Sequence, residues 1–443
     1  MTESRARGGL ATYLDILRRP VALGPFAAAI VARLPISMAP LGMVLLIQQT
    51  TGSYGRAGAV TGAYAVGSAV GAPLWGRALD RWGQPRVVAL TAALNATLLV
   101  LLAVSATRNA AAGVLLVLGF FAGLFMPPVT PAMRVAWRVA LPEPATVRAA
   151  YALDAVAVET IFITGPLLLS LLLVISAPAV PLIVTAGLTL VGGSAYAATG
   201  AARRAHTQAH GRPDASPTRG GPGGSNQPAA SRVVRILGRA LPLSLVPVLL
   251  TGLCLAVAFG SIDTSLAATA RDVLGNQAEL GLLFTAIAGG SAFSGLWFGT
   301  RDVEHRDQIR YLPFLLLALT GGLVPLSVIL GAFTPALWVL LPLLFLTGMG
   351  ISPTLIILQN LIDVGAPATR VNEGQSWLAT SITTGAGAGT AIAGTLIDAA
   401  GIPWSFAAAG SAAVTASALA ALLRRRHNRY WPPRNDATNR SSR

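Results

Sequence analysis

Five ionisable side chains lie inside long apolar stretches of this chain, where charge is otherwise rare. They are Arg33, Asp154, Glu159, Asp263 and Glu373. An ionisable group at the middle of a lipid bilayer costs roughly 2.5–3.5 kcal/mol on insertion scales, so such groups usually pair or line a wet cavity. A carboxylate in a low-dielectric cavity can also take up a proton near neutral pH. These residues could therefore bind protons or solutes within a membrane.

The apolar stretches that must hold these groups are long enough to cross a bilayer. Hydrophobic residues form 53% of the chain and charged residues only 11%, whereas a soluble domain carries roughly 25% charge. A helix needs about 20 residues to cross a hydrocarbon core of about 30 Å. We predict an all-α membrane protein with twelve crossings, at 21–47, 56–76, 87–106, 110–133, 151–175, 179–201, 241–268, 278–299, 311–331, 335–357, 372–396 and 402–423.

The basic residues orient these crossings. The chain has no Lys, and its 32 basic residues are all Arg. Arg56, Arg108 and Arg271 fall in outer loops and Arg33 falls inside a crossing, while every other Arg lies on the side of the N-terminus. Because cytoplasmic loops hold the Arg excess, both termini are predicted to be cytoplasmic. The net charge of +15 then favours anionic lipid headgroups as neighbours and needs no nucleic acid.

Cysteine, histidine and lysine usage argues against an enzyme. Cys254 is the single cysteine, so a disulfide or a thiolate metal site within one chain is excluded. The four His residues fall in predicted loops or the tail, and a phosphate-binding loop of the G-x-x-x-x-G-K type needs Lys. No cofactor or metal is expected. Residues 1–20 show no cleavable signal peptide, so the first crossing is expected to stay in the mature protein.

The chain divides into two halves that weakly resemble each other. A shift of 222 residues pairs Gly67 with Gly289, and a shift of 225 pairs Gly123 with Gly348. Parallel six-plus-six repeats of this kind build one large class of secondary transporters. The predicted parts are an N-terminal segment, a six-helix bundle, a flexible linker rich in Gly, Pro, Ser and Arg, a second six-helix bundle and a tail, at 1–20, 21–202, 203–240, 241–423 and 424–443.

The loop between the second and third crossings carries a signature. It resembles the signature loop of the major facilitator superfamily, G-x-L-a-D-R-x-G-R-K, and Gly76, Asp80, Arg81 and Gly83 match in place. Two basic positions of that pattern are replaced here, and Arg86 follows one step later. The resemblance implies two pseudo-symmetric six-helix bundles that work by alternating access. It also implies a gating latch, in which Asp80 would accept hydrogen bonds from a helix N-terminus of the other half.

The resemblance also implies that the first and fifth helices are neighbours. Arg33 lies about twelve residues into the first crossing and Glu159 about nine into the fifth, so their depths differ by about 5 Å. We therefore predict an Arg33–Glu159 ion pair near the central cavity, with a transport role or a purely structural one. Glu159 is the first choice for a proton site and Asp154 the second. The nearby Arg33 would keep Glu159 ionised unless substrate or conformation separates them.

The other carboxylates have weaker assignments. Asp154 lies about 140° around the helix from Glu159, so it could face the other half or reach the inner surface. Glu373 lies at the inner end of the eleventh crossing and could bind solute or cap the helix. Asp263, near the outer end of the seventh crossing, could be wet and gate the outside.

The fifth crossing contains a partial exporter element. Exporters of the superfamily often carry G-x-x-x-G-P-x-x-G-G in this helix, and only Gly165 and Pro166 match. The same two residues could equally form a proline kink beside a small packing residue. By the same resemblance, the first, fourth, seventh and tenth helices should line the cavity. Their conceivable contacts are Arg33, Ser37, Met38, Phe121, Met126, Phe259, Met349 and Asn360.

These features predict a secondary transporter of one small organic solute, coupled to a proton gradient and working as an exporter. Import of a nutrient is the alternative, and a membrane sensor without transport is the remote one. The Arg-only usage and the many Ala and Gly residues indicate a high-GC bacterial source, which would place a monomeric chain in the cytoplasmic membrane.

Overall fold

The computed structural model describes residues 9–141, 143–204, 245–276, 278–299, 305–366 and 371–430. The first half contains α1 (Gly9–Arg18), α2 (Pro20–Arg33), α3 (Pro35–Thr51), α4 (Tyr54–Trp82), α5 (Gln84–Thr107), α6 (Ala112–Leu124), α7 (Val129–Ala140), α8 (Pro144–Ile175) and α9 (Val180–Ala198). The second half contains α10 (Val246–Ala268), a π-helical turn (Thr269–Val273), α11 (Glu279–Gly299), α12 (His305–Ala332), α13 (Leu337–Gly348), α14 (Ile351–Gly365), α15 (Val371–Ala400) and α16 (Ile402–Tyr430).

These helices make twelve crossings in two six-helix bundles, as the sequence predicts. The first, fourth and tenth crossings are the pairs α2–α3, α6–α7 and α13–α14, and the seventh is α10 with its π-helical turn. We call the face that holds α1 and the α4–α5 turn the near face. The face that holds the α3–α4 and α15–α16 turns is the far face. Most of the predicted linker lies outside the described residues.

Two crossings are less apolar than the rest. Ten helical segments of the described chain are long and apolar enough to cross a membrane by length and composition, and α4 and α15 are not among them. Both helices are rich in Gly, Ala and hydroxyl residues, and they pack against each other between the two halves. Because this contact covers much of their surface with protein, these two helices can contain fewer large apolar residues than the helices that face lipid.

Several crossings are longer than predicted. The fifth begins at Pro144 instead of 151, and the twelfth reaches Tyr430 instead of 423. The seventh continues through the π-helical turn to Val273. Polar residues at these ends lower the hydropathy without breaking the helix, so hydropathy alone placed the boundaries too far inside.

Glycines bring α4 and α6 into backbone contact. A Cβ atom built on Gly67 would overlap the carbonyl oxygen of Phe120, and one on Gly123 would overlap that of Tyr64. Neither position has room for any side chain, so the two helices approach as closely as their backbones allow.

The second half repeats this contact between α11 and α13. A Cβ on Gly290 would overlap the carbonyl oxygen of Phe345, and one on Gly348 would overlap that of Ile287. The predicted equivalence of Gly123 and Gly348 therefore has a structural counterpart. The predicted partner of Gly67 is wrong by one residue, because Gly290 and not Gly289 makes the contact. The matching contacts show the internal repeat directly.

Gly123→Ala should lower the thermal unfolding temperature of the purified protein in detergent. The new methyl group would force α4 and α6 apart, and such overpacking costs typically about 1–3 kcal/mol. Gly113→Ala in the same helix is the matched control, since nothing lies within 4 Å of a Cβ at that position. Equal unfolding temperatures for the two variants would contradict the backbone contact.

Candidate functional site

A cavity of about 80 Å³ lies between the two halves. Helices α3, α4 and α8 line it from the first half, and α10, α11 and α15 from the second. Its lining residues are Ile36, Ser37, Pro40, Leu41, Val44, Thr61, Phe162, Pro166, Asp263, Thr264, Phe284 and Thr390. The predicted lining helices are right for the first and seventh crossings only. The fourth and tenth crossings do not line it, because the contacts α4–α15 and α8–α11 enclose the cavity instead.

Among the described residues that line this cavity, Asp263 is the one charged residue. Its side chain is accessible from the cavity and has no hydrogen-bond or ion-pair partner within the part of the chain that the structure describes. The prediction that placed Asp263 near the outer end of its crossing is wrong. The seventh crossing continues through the π-helical turn to Val273, so Asp263 lies ten residues before that end.

Arg33 forms a buried ion pair with Asp154. Its Nη2 donates to Asp154 Oδ1 at 2.7 Å, and the side chains are 1% and 10% exposed. Arg33 Nε donates to the Ala29 carbonyl at 3.0 Å, while its Nη1 is buried without a partner among the described residues. The predicted Arg33–Glu159 pair stays a prediction, because the Glu159 side chain lies outside the described residues. Asp154 neither faces the second half nor reaches the surface, since it pairs with Arg33 within the first half.

The direction of the Arg33 side chain explains the ion pair with Asp154. A helical side chain points toward the N-terminus of its helix, and the bond to Ala29 shows that the guanidinium folds back by about one turn. One turn is about 5.4 Å, and Asp154 lies about 7.5 Å nearer the near face than Glu159. Matching the depths of the Cα atoms ignored this displacement. The Glu159 and Glu373 side chains lie outside the described residues, so their assignments stay predictions.

The far face is sealed by one carboxylate of the second half. Asp398, two residues before the end of α15, accepts hydrogen bonds from Ser53 Oγ at 2.6 Å, the Tyr54 amide at 2.9 Å and the Gly55 amide at 2.8 Å. These groups form the start of α4, where backbone N–H groups lack intrahelical partners. A negative charge is favourable there, because the positive end of the helix dipole faces it.

Two further hydrogen bonds join the halves at the far face. The Tyr54 hydroxyl donates to Asp272 Oδ2 at 2.8 Å, and Ser170 Oγ donates to the Ala278 carbonyl at 2.8 Å. Gly58, farther along α4, lies so close to α15 that a Cβ atom there would be 2.6 Å from the Thr390 carbonyl oxygen. Backbone packing and polar contacts therefore close the far face together.

The described segments show no contact between the predicted near-face latch and the second half. Asp80 is exposed and has no hydrogen-bond partner in the described segments, and Arg81 and Arg86 are also exposed. No described atom lies within 4 Å of a Cβ built on Gly76, so this glycine makes no close helix contact there. Gly83 has φ +83°, which favours glycine, and it forms the turn from α4 to α5.

Gln84, which occupies a basic position of the signature, has a role that sequence reasoning missed. It is buried, its Nε2 donates to the Ala132 carbonyl at 3.2 Å, and its Oε1 accepts from the Tyr196 hydroxyl at 3.0 Å. It therefore links α5 to α7 and α9. The sequence did contain a signal for this role. Gln84 replaces a basic residue of the signature, and such a replacement indicates a buried position, where an unpaired cation would be costly.

Gly165 and Pro166 have separate roles. A Cβ on Gly165 would overlap Ser37 Oγ, so this glycine lets α8 pack on α3, while Pro166 lines the cavity. Among the other predicted contacts, Ser37 lines the cavity and Met38 is buried in the core. Asn360 instead donates to Gln308 at 3.1 Å.

Comparisons with known proteins agree with this architecture. A sequence model described as Major Facilitator Superfamily matches residues 25–373. A mutant of the nucleoside transporter NupG superposes with a TM-score of 0.69 at 11% identity, covering 91% of this chain and 99% of its own. A mutant of the peptide transporter POT, in complex with sulfate, gives 0.66 at 15% identity, covering 96% and 99%. No match was found among curated proteins.

Asp398→Ala should open the far face. The variant removes the acceptor of three hydrogen bonds, and losing such a helix cap costs about 1–2 kcal/mol. In a Cys254→Ser background with Val44→Cys in the cavity, an impermeant thiol reagent applied to the far face should react about tenfold faster. Asp15→Ala on α1 is the control. An unchanged labelling rate in Asp398→Ala would show that the carboxylate does not hold the seal.

Arg33→Met should destabilise the folded protein. It leaves Asp154 buried without its cation, and breaking a buried pair costs about 3–5 kcal/mol. Adding Asp154→Leu removes the unpaired charge, so the double variant should unfold at a higher temperature than Arg33→Met alone. Thermal unfolding in detergent measures both. If Arg33→Met is as stable as the unsubstituted protein, the pair is not a structural element.

Proposed function

The chain belongs to the major facilitator superfamily, and from that premise we propose that it moves a small organic solute across the membrane by alternating access, with the cavity around Asp263 as the transport site. The observation that carries the proposal is a cavity enclosed between two bundles whose far-face ends are joined by Asp398 and Asp272. Hydrogen bonds of this kind can form in one conformation and break in the other.

The helix pair α4–α15 supports an asymmetric state. Its far end is in close contact at Gly58 and capped by Asp398, whereas Asp80 at its near end has no partner among the described residues. A transporter in this state would exchange solute with the near face. The opposite state would release the Asp398 cap and engage the Asp80 latch.

The Arg distribution supports a cytoplasmic near face. Arg77, Arg81 and Arg86 are exposed at the near face, while Arg56, Arg108 and Arg271 lie at the far-face ends of their helices. Under the positive-inside rule both termini are cytoplasmic. The structure then represents an inward-facing state of a protein in the cytoplasmic membrane, working as a monomer.

Asp263 is the preferred coupling site. A carboxylate without a counter-ion in the membrane interior is costly, and binding a proton or a cation removes that cost. Asp154 is less suited, since Arg33 already neutralises it. Glu159, three residues before the cavity residue Phe162, is the second candidate.

Proton-coupled export is the proposed direction. It rests on the partial Gly165–Pro166 element and on the resemblance to efflux carriers. Import of a nutrient is the second candidate, because the similar solved structures are those of a nucleoside transporter and a peptide transporter.

Flux in proteoliposomes tests the proposal. With an imposed pH gradient and a panel of an arylalkylamine, uridine and dialanine, we expect at least one solute to accumulate, and a protonophore to abolish the accumulation. Asp263→Asn should stop gradient-driven accumulation, because it removes the ionisable carboxyl. Asp15→Asn, which removes an exposed carboxylate on α1, should leave it intact.

Other outcomes of the same assay are decisive. Normal flux in Asp263→Asn together with loss in Glu159→Gln would move the coupling site to Glu159. Indifference to the protonophore would indicate a uniporter. The panel can be extended to sugars and amino acids. Transport is contradicted if every solute then shows the same flux as in protein-free liposomes.

A further inference from the structure

We propose that the cavity binds an organic cation, a protonated amine with an apolar body. This inference rests on the proposed transport function and names the chemical class of its substrate. Two observations support it. Asp263 gives the cavity lining a negative charge, and the hydroxyl groups of the lining already donate their hydrogens to backbone carbonyls.

The described residues that line the cavity offer one full charge, and it is negative. Asp263 lines the cavity without a partner in the described chain, and none of the other lining residues is ionisable. Arg33, the described cation inside the first half, is 1% exposed and bound to Asp154. An anion in the cavity would therefore lie beside Asp263 with no lining cation to offset the repulsion.

The four hydroxyl groups of the cavity act as acceptors. All of them use their single hydrogen on a backbone carbonyl of the protein, so they can offer a ligand only an oxygen lone pair. The donations are Ser37 to Ile161 at 3.0 Å and Leu34 at 3.1 Å, Thr61 to Ala57 at 3.0 Å, Thr264 to Gly260 at 3.0 Å, and Thr390 to Ala386 at 3.0 Å and Gly260 at 3.3 Å.

Two prolines add to this set of acceptors. Pro40 has no amide hydrogen to give the carbonyl of Ile36, and Pro166 has none for the carbonyl of Phe162. Ile36 and Phe162 both line the cavity. The carbonyl oxygens of these two lining residues therefore lack the usual helical donor.

A cavity built from acceptors selects a ligand rich in donors. A protonated primary amine offers three N–H groups and a positive charge, and it leaves no acceptor of its own unpaired. A carboxylate, or a neutral solute with many acceptors, would lose its hydrogen bonds to water and gain few in return. The apolar walls, among them Phe162 and Phe284, suit an aliphatic or aromatic body, and aromatic faces attract cations.

Binding of four matched probes to the purified protein tests this inference. The probes are 4-phenylbutylamine, its N,N,N-trimethyl analogue, 4-phenylbutanol and 4-phenylbutanoate, measured by isothermal titration calorimetry. We expect the primary amine to bind about tenfold or more tightly than the alcohol. The trimethyl analogue should lie between them, because it keeps the charge and lacks N–H donors. The carboxylate should not bind detectably.

Variants locate the interaction in the cavity. Asp263→Asn should abolish the preference for amine over alcohol, while Asp15→Asn should keep it. Thr61→Val, which removes one acceptor hydroxyl at little change in volume, should weaken the amine a few-fold and is informative even if Asp263→Asn fails to fold.

The inference is overturned if the alcohol or the carboxylate binds as tightly as the amine, or if Asp263→Asn keeps the preference. Flux of uridine or dialanine in proteoliposomes without amine binding would overturn the substrate class and leave the transport function standing. Absence of amine binding together with absence of flux for every solute would overturn both.

Discussion

The antiparallel contact between α4 and α15 is the constraint on which the arrangement of the two halves depends. At the far face, backbone contact at Gly58 and the Asp398 carboxylate hold the start of α4 against the end of α15. Each helix carries an aspartate two residues before its last residue, Asp80 in α4 and Asp398 in α15. Because the helices are antiparallel, these carboxylates lie at opposite faces. One of them caps a helix here and the other has no partner in the described chain, which is the asymmetry that alternating access requires.

The described charges inside the membrane are of two kinds. The Arg33–Asp154 ion pair lies within the first half, is buried, and has no net charge. Breaking it would leave a buried charge without a partner, so the folded protein is most stable while the pair stays formed. Asp263 lines the cavity between the halves and has no partner in the described chain. Its charge can be compensated by something that enters the cavity. The first arrangement suits a fixed structural element, and the second suits a site that loads and unloads.

The sequence predicted the class of fold well because membrane insertion imposes local rules. Apolar length and the positions of Arg residues are properties of single segments, and apolar length alone marks ten of the crossings. The two bundles follow from the weak repeat and from the resemblance to the superfamily. The glycines at the helix contacts were visible as a weak repeat. The repeat could not settle the register of Gly67 and Gly290, since neighbouring glycines such as Gly289 match equally well in sequence.

The site was less predictable because it depends on side-chain direction and on tertiary neighbours. Arg33 folds back toward Ala29, and this direction of the side chain brings its guanidinium to Asp154. Asp398 looks like an ordinary polar residue near a helix end until the start of α4 is placed beside it. The acceptor character of the cavity is likewise invisible in sequence, since it depends on where each hydroxyl hydrogen goes.

Paired distances across both faces test alternating access most directly. Spin labels at Thr107 and Thr334 report on the far face, and labels at Arg77 and Asp363 report on the near face, in lipid nanodiscs by pulsed electron resonance. Added amine or a change in pH should shift the protein from the inward-facing to the outward-facing conformation. The far-face distance should then lengthen while the near-face distance shortens. The account of a single cavity that opens to one face at a time is contradicted if both distances lengthen together. It is also contradicted if neither distance changes under any condition that supports flux.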